Sequence, residues 1–291
     1  MFSFYQHLPE LVNPIAFLIG NFSVRWYSLM YLAGFCVVYG LLMYRVRKDE
    51  RLSKIFNFQF SIFNKIPNTE YRIPYSIIID FLLYSFIGLI AGGRLGYVLF
   101  YNLGWYIKNP LTIISPFDSS GNFIGIFGMS YFGGLIGIII ATIIFCRKNE
   151  INFWRWADFV VPAIPAGYFF GRIGNFLNGE LYGKAANSFL GMYFGDGILR
   201  HPTQLYEALL EGLLLFVILW FLRNKTKFSG TLFLLYIAGY GMVRFFVEFL
   251  REPENDFIFG MTRGQVLAFF AIITAGIAYA YGAKKHSYKE I

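Results

Sequence analysis

The sequence predicts an all-α integral membrane protein with about seven transmembrane helices, a small head outside the membrane, an N-terminus outside and a C-terminus in the cytoplasm. Of its 291 residues, 57% are hydrophobic and 14% are charged, whereas soluble domains average about 45–50% apolar and about 25% charged residues. Seven segments are apolar and close to the roughly 20 residues that a bilayer-spanning helix needs. These observations exclude a soluble globular class and favour one membrane domain over residues 1–291.

The seven predicted spans differ in how well they suit a bilayer. The fourth is the shortest and contains Pro162 and Pro165, which a transmembrane helix tolerates when neighbouring groups satisfy the freed backbone. Phe, Tyr and Trp make up 21% of the chain, which is typical of proteins with aromatic residues at the lipid and headgroup levels. In order, the spans are residues 24–44, 75–101, 125–146, 155–171, 203–222, 229–250 and 263–282.

Lysine and arginine concentrate in alternate connections between the spans. Residues 45–73, 147–155, 223–227 and 284–289 hold 16 of the 25 basic residues, and the intervening connections hold 5. The positive-inside rule therefore places the N-terminus outside and the C-terminus in the cytoplasm. Such short runs are typical of topology signals, so we expect no nucleic-acid partner.

Two connections are long enough to carry structure of their own. Residues 172–201 are polar and glycine-rich and predict a head or cap outside the membrane. Residues 45–74 predict a cytoplasmic loop, either an amphipathic helix on the inner leaflet or a plain tether. Cys36 and Cys146 lie within apolar stretches, so they favour small buried hydrophobic residues over a disulfide or a metal site.

The N-terminal sequence gives no sign of a removable leader. It lacks a basic region and a following small-residue cleavage site. We therefore expect the first hydrophobic segment to remain in the mature protein.

Several ionisable residues fall inside predicted spans, where each costs roughly 2.5–3.5 kcal/mol or more. Tyr240, Arg244 and Glu248 are spaced four apart and share one helical face, where the arginine and the glutamate can neutralise each other. Glu207 and Glu211 are also four apart, and their repulsion requires a shared proton or cation, such as an arginine from another helix. Structural ion pairs and snorkelling side chains remain open alternatives for this set, which is Asp80, Arg94, Glu207, Glu211, Arg244 and Glu248.

Two glycine-rich segments have different interpretations. In the second span, small residues predict a close helix-packing face, and they are Gly88, Ala91, Gly92, Gly93 and Gly96. At the end of the fourth span, FGRIGNFLNGELYG (170–183) combines glycines with polar side chains, which favours a binding site over a plain helix end running into a turn. Neither segment predicts a nucleotide loop, because neither lies between a strand and a helix.

The stretch GRIGNFLNGELYG (171–183) resembles the signature G-R-x-G-N-F-x-N-x-E-x-x-G of the prolipoprotein diacylglyceryl transferase family. The resemblance covers nearly the whole chain in order, except the loop at 47–74 and a shortened head. It continues in RWYSLMY (25–31), GGRLGYVLFYN (92–102), RHPTQLYEALLEG (200–212), GYGMVRFFVEFLREPE (239–254) and GQVL (264–267).

The resemblance implies a multi-pass enzyme of the bacterial inner membrane with a periplasmic N-terminus and head. It would transfer the sn-1,2-diacylglyceryl group of phosphatidylglycerol to the lipobox cysteine thiol of a preprolipoprotein signal peptide. The products would be a thioether-linked protein and glycerol 1-phosphate. Membrane lipids would be its surroundings, and neither a metal nor a soluble cofactor would take part.

Site residues carry over from the family by motif. Arg172 corresponds to the arginine that binds phosphatidylglycerol, and Arg244 to a second essential arginine. Because a guanidinium stays protonated and presents a planar fork of donors, we assign both to the phosphate. The other residues predicted to bind the lipid are Asn175, Gly183, Tyr27 and Tyr240.

The attacking thiol has to lose a proton, since a free cysteine has a pKa of about 8.5. Glu180 and Glu248 are the candidate bases, and the sequence leaves both open. His201 is a weaker candidate, because a structural hydrogen bond is its simpler interpretation. The predicted catalytic residues are therefore Arg172, Arg244, Glu180 and Glu248.

One position departs from the family pattern. Many members have histidine directly before the Gly-Gly pair of this motif, whereas GMSYFGG (128–134) places Phe132 there, and a phenyl ring cannot accept a proton. Either this histidine is dispensable, with Tyr131 or another group compensating, or the chain is a non-catalytic lipid-binding relative. A lipid transporter or scramblase is a further alternative, against which the lack of inverted repeats argues.

Overall fold

The chain is mostly helical in a computed structural model that describes residues 2–20, 22–48, 75–115, 128–226, 228–252 and 260–287. It divides into two compact units, one of Met1–Tyr44 with Ala157–Ile291 and one of Arg45–Trp156. Most of the predicted loop at 45–74, from residue 49 on, lies outside the described residues.

The N-terminal part of the first unit consists of short elements followed by a long helix. It contains α1 (Phe2–Gln6), α2 (Leu8–Leu11), the antiparallel strands β1 (Ile15–Ile19) and β2 (Phe22–Arg25), and α3 (Trp26–Lys48). The second unit contains α4 (Tyr75–Tyr101), α5 (Leu103–Lys108), the 3-10 turn Pro110–Ile113, α6 (Tyr131–Lys148) and the beginning of α7 (Phe153–Val160).

The remainder of the first unit follows α7. The 3-10 turn Val161–Ala163 leads to α8 (Ile164–Leu177), and the short antiparallel strands β3 (Met192–Tyr193) and β4 (Leu199–Arg200) come next. They are followed by α9 (Thr203–Glu207), the π-helical segment Ala208–Leu214, α10 (Leu215–Leu222), α11 (Thr231–Val247) and α12 (Arg263–Ser287).

Four helices in the described part of the chain are long and apolar enough to cross a membrane, which confirms the membrane character predicted from composition. They are Trp26–Lys48, Ser76–Phe100, Thr203–Leu222 and Arg263–His286, with Thr231–Val247 as a shorter apolar helix. They coincide with the predicted first, second, fifth, seventh and sixth spans.

The predicted fourth span is a broken run of helix. A 3-10 turn containing Pro162 separates α7 from α8, because proline removes a backbone donor and disrupts the preceding turn. Pro165 lies in the first turn of α8, where its missing N–H has no intrahelical partner to lose.

The strand pairs β1–β2 and β3–β4 were not part of the all-α prediction.

In the second unit, α4 and α6 pack through glycines on both helices. A Cβ on Gly92 would lie 2.4 Å from the carbonyl oxygen of Gly133, and one on Gly137 would lie 2.0 Å from that of Gly88. Only glycine allows backbones to approach this closely. The glycine-rich face predicted for the second span is therefore confirmed at Gly88 and Gly92.

Replacing Gly137 with alanine is expected to force α4 and α6 apart at a cost of about 1–3 kcal/mol, which is typical of overpacking. The matched control is Gly276→Ala in α12, where a Cβ meets nothing within 4 Å. This substitution should be neutral or stabilising by up to about 1 kcal/mol, since alanine is the better helix former. Thermal unfolding in detergent measures both, and equal melting temperatures would refute the close contact.

Arg94 has a structural role that the sequence left open. Its guanidinium donates to the backbone carbonyls of Thr112 at 2.6 Å, Ile113 at 2.7 Å and Gly128 at 3.3 Å. These contacts join α4 to the connection between α5 and α6. Arg94 therefore satisfies backbone acceptors that have no partner in regular secondary structure.

In the first unit, Asp158 fixes the start of α11. Its carboxylate accepts from the backbone N–H of Gly230 at 2.7 Å and of Phe233 at 3.0 Å. A carboxylate at a helix N-terminus satisfies free donors and complements the helix dipole. This contact ties α11 to the end of α7.

Close glycine contacts also hold α8 between its neighbours in the first unit. A Cβ on Gly34 in α3 would lie 2.9 Å from the carbonyl oxygen of Gly167, and one on Gly212 would lie 2.9 Å from Cα of Phe169. The π-helical segment therefore packs directly against α8, one turn before Arg172.

Candidate active site

Glu207 joins three arginines at the centre of the first unit. Its Oε1 accepts from Arg244 Nη1 at 3.0 Å and from Arg251 Nη1 at 2.8 Å. Its Oε2 lies 2.6 Å from Nε of Arg172. The expected arginine from another helix is thus confirmed. The positive charges that relieve the repulsion between Glu207 and Glu211 are Arg172 of α8, Arg244 of α11 and Arg251, which follows α11.

Arg172 makes further contacts within α8. Its Nε–H donates to the Tyr168 hydroxyl at 2.8 Å, and Nη1 donates to Oδ1 of Asn175 at 3.2 Å. Oε2 of Glu207 lies closer to Nε but accepts no hydrogen bond within the described chain. The Arg172–Glu207 contact is therefore an ion pair, and the hydrogen bond from Nε–H goes to the Tyr168 hydroxyl.

Arg244 contacts two carboxylates through the two ends of its fork. Nη1 pairs with Glu207, and Nη2 lies 3.0 Å from Oε2 of Glu248, four residues along the chain. The predicted neutralisation of Arg244 by Glu248 is confirmed. Arg251 Nε lies 3.7 Å from the same Glu248 oxygen, so this carboxylate is shared by two guanidinium groups.

The two arginines predicted from the sequence therefore meet on one carboxylate. The Arg172 and Arg244 side chains are 15% and 17% exposed, whereas that of Glu207 is 1% exposed. Both arginine side chains thus keep some exposed surface, while their common counter-ion is buried.

Asn175 and Glu180 continue the network from Arg172 into the loop after α8. Asn175 Nδ2 donates to Oε1 of Glu180 at 2.8 Å. The backbone carbonyl of Glu180 accepts from Gln204 Nε2 at 2.6 Å, which fixes the loop against α9. Gly179 allows this turn because its φ of +67° lies in the left-handed region.

Gly183 is required by backbone contact. A Cβ there would lie 2.3 Å from the carbonyl oxygen of Leu250, and Gly183 forms an isolated β-bridge with Arg251. Because Gly183 has no side chain, the loop can pack against Arg251, which is bound to Glu207.

The two predicted binding tyrosines have different surroundings. Tyr27 donates its hydroxyl to Tyr31 at 3.0 Å, and its Cα would lie 3.5 Å from a Cβ on Gly174, so it borders the Arg172 helix. The Tyr240 ring lies perpendicular to the ring of Tyr168, with centroids 6.0 Å apart. The side chains of Tyr131 and Phe132 lie outside the described residues.

A separate polar cluster surrounds Arg200 in the first unit. Arg200 Nε donates to Asp196 at 2.5 Å, and Nη1 donates to Glu252 at 3.2 Å. Slight burial raises the pKa of Asp196, but the N–H of Ile198 and the Arg200 guanidinium outweigh it and hold the pKa below its ordinary value. Partial burial lowers the pKa of His201, whose Nδ1 lies 3.3 Å from the Tyr206 hydroxyl.

Tyr168 and Arg251 were not predicted as site residues, and Glu207 was not predicted as the common counter-ion. Spacing carries a signal for each: Tyr168 precedes Arg172 by four residues, and Arg251 follows Glu248 by three. For Glu207 the signal was the unexplained pair of glutamates in an apolar span.

A family model described as prolipoprotein diacylglyceryl transferase matches residues 14–281. The chain belongs to this family. A protein of Chlorobaculum tepidum named phosphatidylglycerol–prolipoprotein diacylglyceryl transferase is 42% identical over 294 residues, covering 98% of this chain and 94% of the relative. Proteins with the same name from Campylobacter jejuni (strain RM1221) and Campylobacter curvus are 42% and 40% identical, covering 95% and 97% of this chain and 96% and 97% of theirs.

The prolipoprotein diacylglyceryl transferase signature has a physical explanation here. GRIGNFLNGELYG (171–183) covers the end of α8 and the turn after it. Its arginine reaches Glu207, its first asparagine and its glutamate extend the hydrogen-bond network, and its last glycine contacts the segment that carries Arg251.

Proposed function

We propose that this chain transfers a diacylglyceryl group from phosphatidylglycerol to a prolipoprotein. The observation that carries the proposal is the convergence of Arg172 and Arg244 on the two oxygens of Glu207, in a family whose relatives are named for this reaction. Paired guanidinium groups suit the phosphate of an anionic lipid, because they bind its oxygens with charge-assisted hydrogen bonds.

In the proposed reaction, the thiolate of the lipobox cysteine attacks C3 of the sn-1,2-diacylglyceryl group. A carbon–sulfur bond forms while the bond between C3 and the phosphate oxygen breaks, and the electron pair leaves with the phosphate. The products are a thioether and glycerol 1-phosphate. Negative charge grows on the leaving phosphate, which is where Arg172 and Arg244 would stabilise the transition state.

Between the two candidate bases, the contacts favour Glu180. Glu180 accepts one side-chain hydrogen bond, from the neutral amide of Asn175, whereas Glu248 lies against two guanidinium groups. We therefore assign Glu180 to the thiol proton and Glu248 to holding Arg244, with the reverse assignment as the alternative. Asn175, Gly183, Tyr27 and Tyr240 would shape the lipid-binding site around the arginines.

The proposed setting is the bacterial inner membrane, crossed seven times by a single domain over residues 1–291 with the N-terminus in the periplasm. Four membrane-length helices and the excess of basic residues in alternate connections support this topology. Residues 172–201 would then form the periplasmic head, and residues 45–74 the cytoplasmic loop.

A transporter or scramblase and a non-catalytic lipid-binding protein are the competing functions. The names of relatives that match nearly the whole chain favour the transferase over both. The difference is chemical, because only the transferase breaks the bond between the diacylglyceryl group and the phosphate.

The test is transfer by the purified chain in vesicles containing phosphatidylglycerol and a peptide with a lipobox cysteine. We expect release of glycerol phosphate, together with a peptide mass increase equal to one diacylglyceryl group. A peptide with serine in place of the cysteine is the control and should gain no mass. Lipid movement between leaflets without release of glycerol phosphate would refute the transferase.

A further inference from the structure

Tyr168 contacts Arg172 in two ways. Its hydroxyl accepts from the Nε–H of Arg172 at 2.8 Å, and its ring centroid lies 4.8 Å from Cζ of the guanidinium. The residues are four apart in α8, so they share a helical face. Tyr168 is therefore placed to control the direction in which the guanidinium plane points.

The Tyr168 hydroxyl is itself held by Glu211. It donates to Oε2 of Glu211, a residue that is 1% exposed. Glu211 lies in the π-helical segment Ala208–Leu214, and π-helical turns occur frequently at functional sites. Because an ionisable residue inside a membrane span is costly, we take its presence here to indicate a role in the site.

These contacts leave one end of the Arg172 fork available. Nε donates to Tyr168 and Nη1 donates to Asn175. Among the residues that the structure describes, Nη2 of Arg172 has no hydrogen-bond partner. The guanidinium is thus held through Nε and Nη1, while Nη2 has a donor without a described partner and the side chain is 15% exposed.

We infer that Tyr168 is a positioning residue that orients Arg172 toward an anionic lipid headgroup, with Glu211 fixing the Tyr168 hydroxyl. This inference rests on the proposed function, because it concerns the guanidinium assigned to the lipid phosphate. In this role Tyr168 acts through Arg172. Misorientation of a donor in the transition state lowers the rate more than it weakens ground-state binding.

The Tyr168→Phe variant tests this inference, since it keeps the ring and removes only the hydroxyl. We expect kcat for transfer to fall about tenfold while KM for phosphatidylglycerol changes less than about threefold, because the lost contact matters in the transition state. The melting temperature should stay close to that of the unaltered chain. The matched control is Tyr193→Phe, a hydroxyl deletion in the head, where the ring stacks on His7 with centroids 4.5 Å apart.

Glu211→Gln tests whether the carboxylate acts through the tyrosine. The variant should also lower kcat, and the double variant Tyr168→Phe/Glu211→Gln should resemble Tyr168→Phe alone within about twofold, because residues that act as a unit are not additive. Fully additive losses would overturn the part assigned to Glu211.

Two results would overturn the role of Tyr168. One is a kcat equal to that of the Tyr193→Phe control, and the other is a loss of kcat only in preparations that also unfold at lower temperature. Failure of the unaltered chain to release glycerol phosphate would instead refute the proposed function. Normal transfer by the unaltered chain with full activity in Tyr168→Phe would refute the positioning role alone.

Discussion

Replacing Arg172 or Arg244 with alanine is expected to lower transfer by about 10²–10³-fold or more, the loss that follows removal of one preorganised donor to transition-state charge. Each arginine contacts one oxygen of Glu207, and both arginine side chains are partly exposed. Lysine should restore little activity, because it retains the charge but not the planar pair of donors. The measurement is the rate of glycerol phosphate release in vesicles.

Arg223→Ala is the matched control for both arginine variants. Arg223 lies in the same unit, follows α10 and contacts the ring of Trp220, so the control removes an arginine outside the Glu207 cluster. It should retain nearly full activity. Near-normal transfer by either Arg172→Ala or Arg244→Ala would show that the arginine in question does not bind the reacting phosphate.

Glu207→Ala is expected to destabilise the fold by about 3–5 kcal/mol, the cost of leaving buried charge without its partner. Glu207 is the common counter-ion of Arg172, Arg244 and Arg251. Without it, Arg172 loses its ion pair, and Arg244 and Arg251 are left with their ion pairs to Glu248. We expect a lower melting temperature in detergent and a lower yield of folded protein.

The control for Glu207→Ala is Glu252→Ala, whose carboxylate pairs with Arg200 while its side chain remains 55% exposed. An exposed ion pair contributes about 0–1 kcal/mol, so this variant should unfold like the unaltered chain. Equal melting temperatures for the two variants would mean that Glu207 does not neutralise a buried cluster.

Local spacing made part of the site predictable. Tyr240, Arg244 and Glu248 recur every four residues, so their common face and the Arg244–Glu248 pair follow from helix geometry. The packing of Gly88 and Gly92 was predictable for the same reason, because small residues in an apolar span favour close helix contact.

The identity of the arginines that meet on Glu207 was not predictable, because they come from distant parts of the chain. Arg172 precedes it by 35 residues and Arg244 follows it by 37, and only the packing of α8, α9 and α11 brings the three together. The strand pair β3–β4 was also missed, since strands of two residues are too short for an alternating pattern.

The sequence predicted that the fourth span is irregular but not where its helix ends. Pro162 and Pro165 indicated the irregularity, but they did not indicate which of the two lies at the break between helices. The outcome depends on position, because a proline in the first turn of a helix displaces no hydrogen bond whereas one further along does.

The π-helical winding of Ala208–Leu214 makes the length of this stretch as important as its composition. A π turn holds more residues than an α turn, so deletion of one residue there would let the chain rewind into a regular α-helix. Because the deletion removes the extra residue of the π turn, the residues beyond it would keep nearly the same direction around the axis and would move about 1.5 Å along it, one residue rise, toward Glu207. The change would fall on the segment itself, where Glu211 would no longer point toward the Tyr168 hydroxyl as it does now.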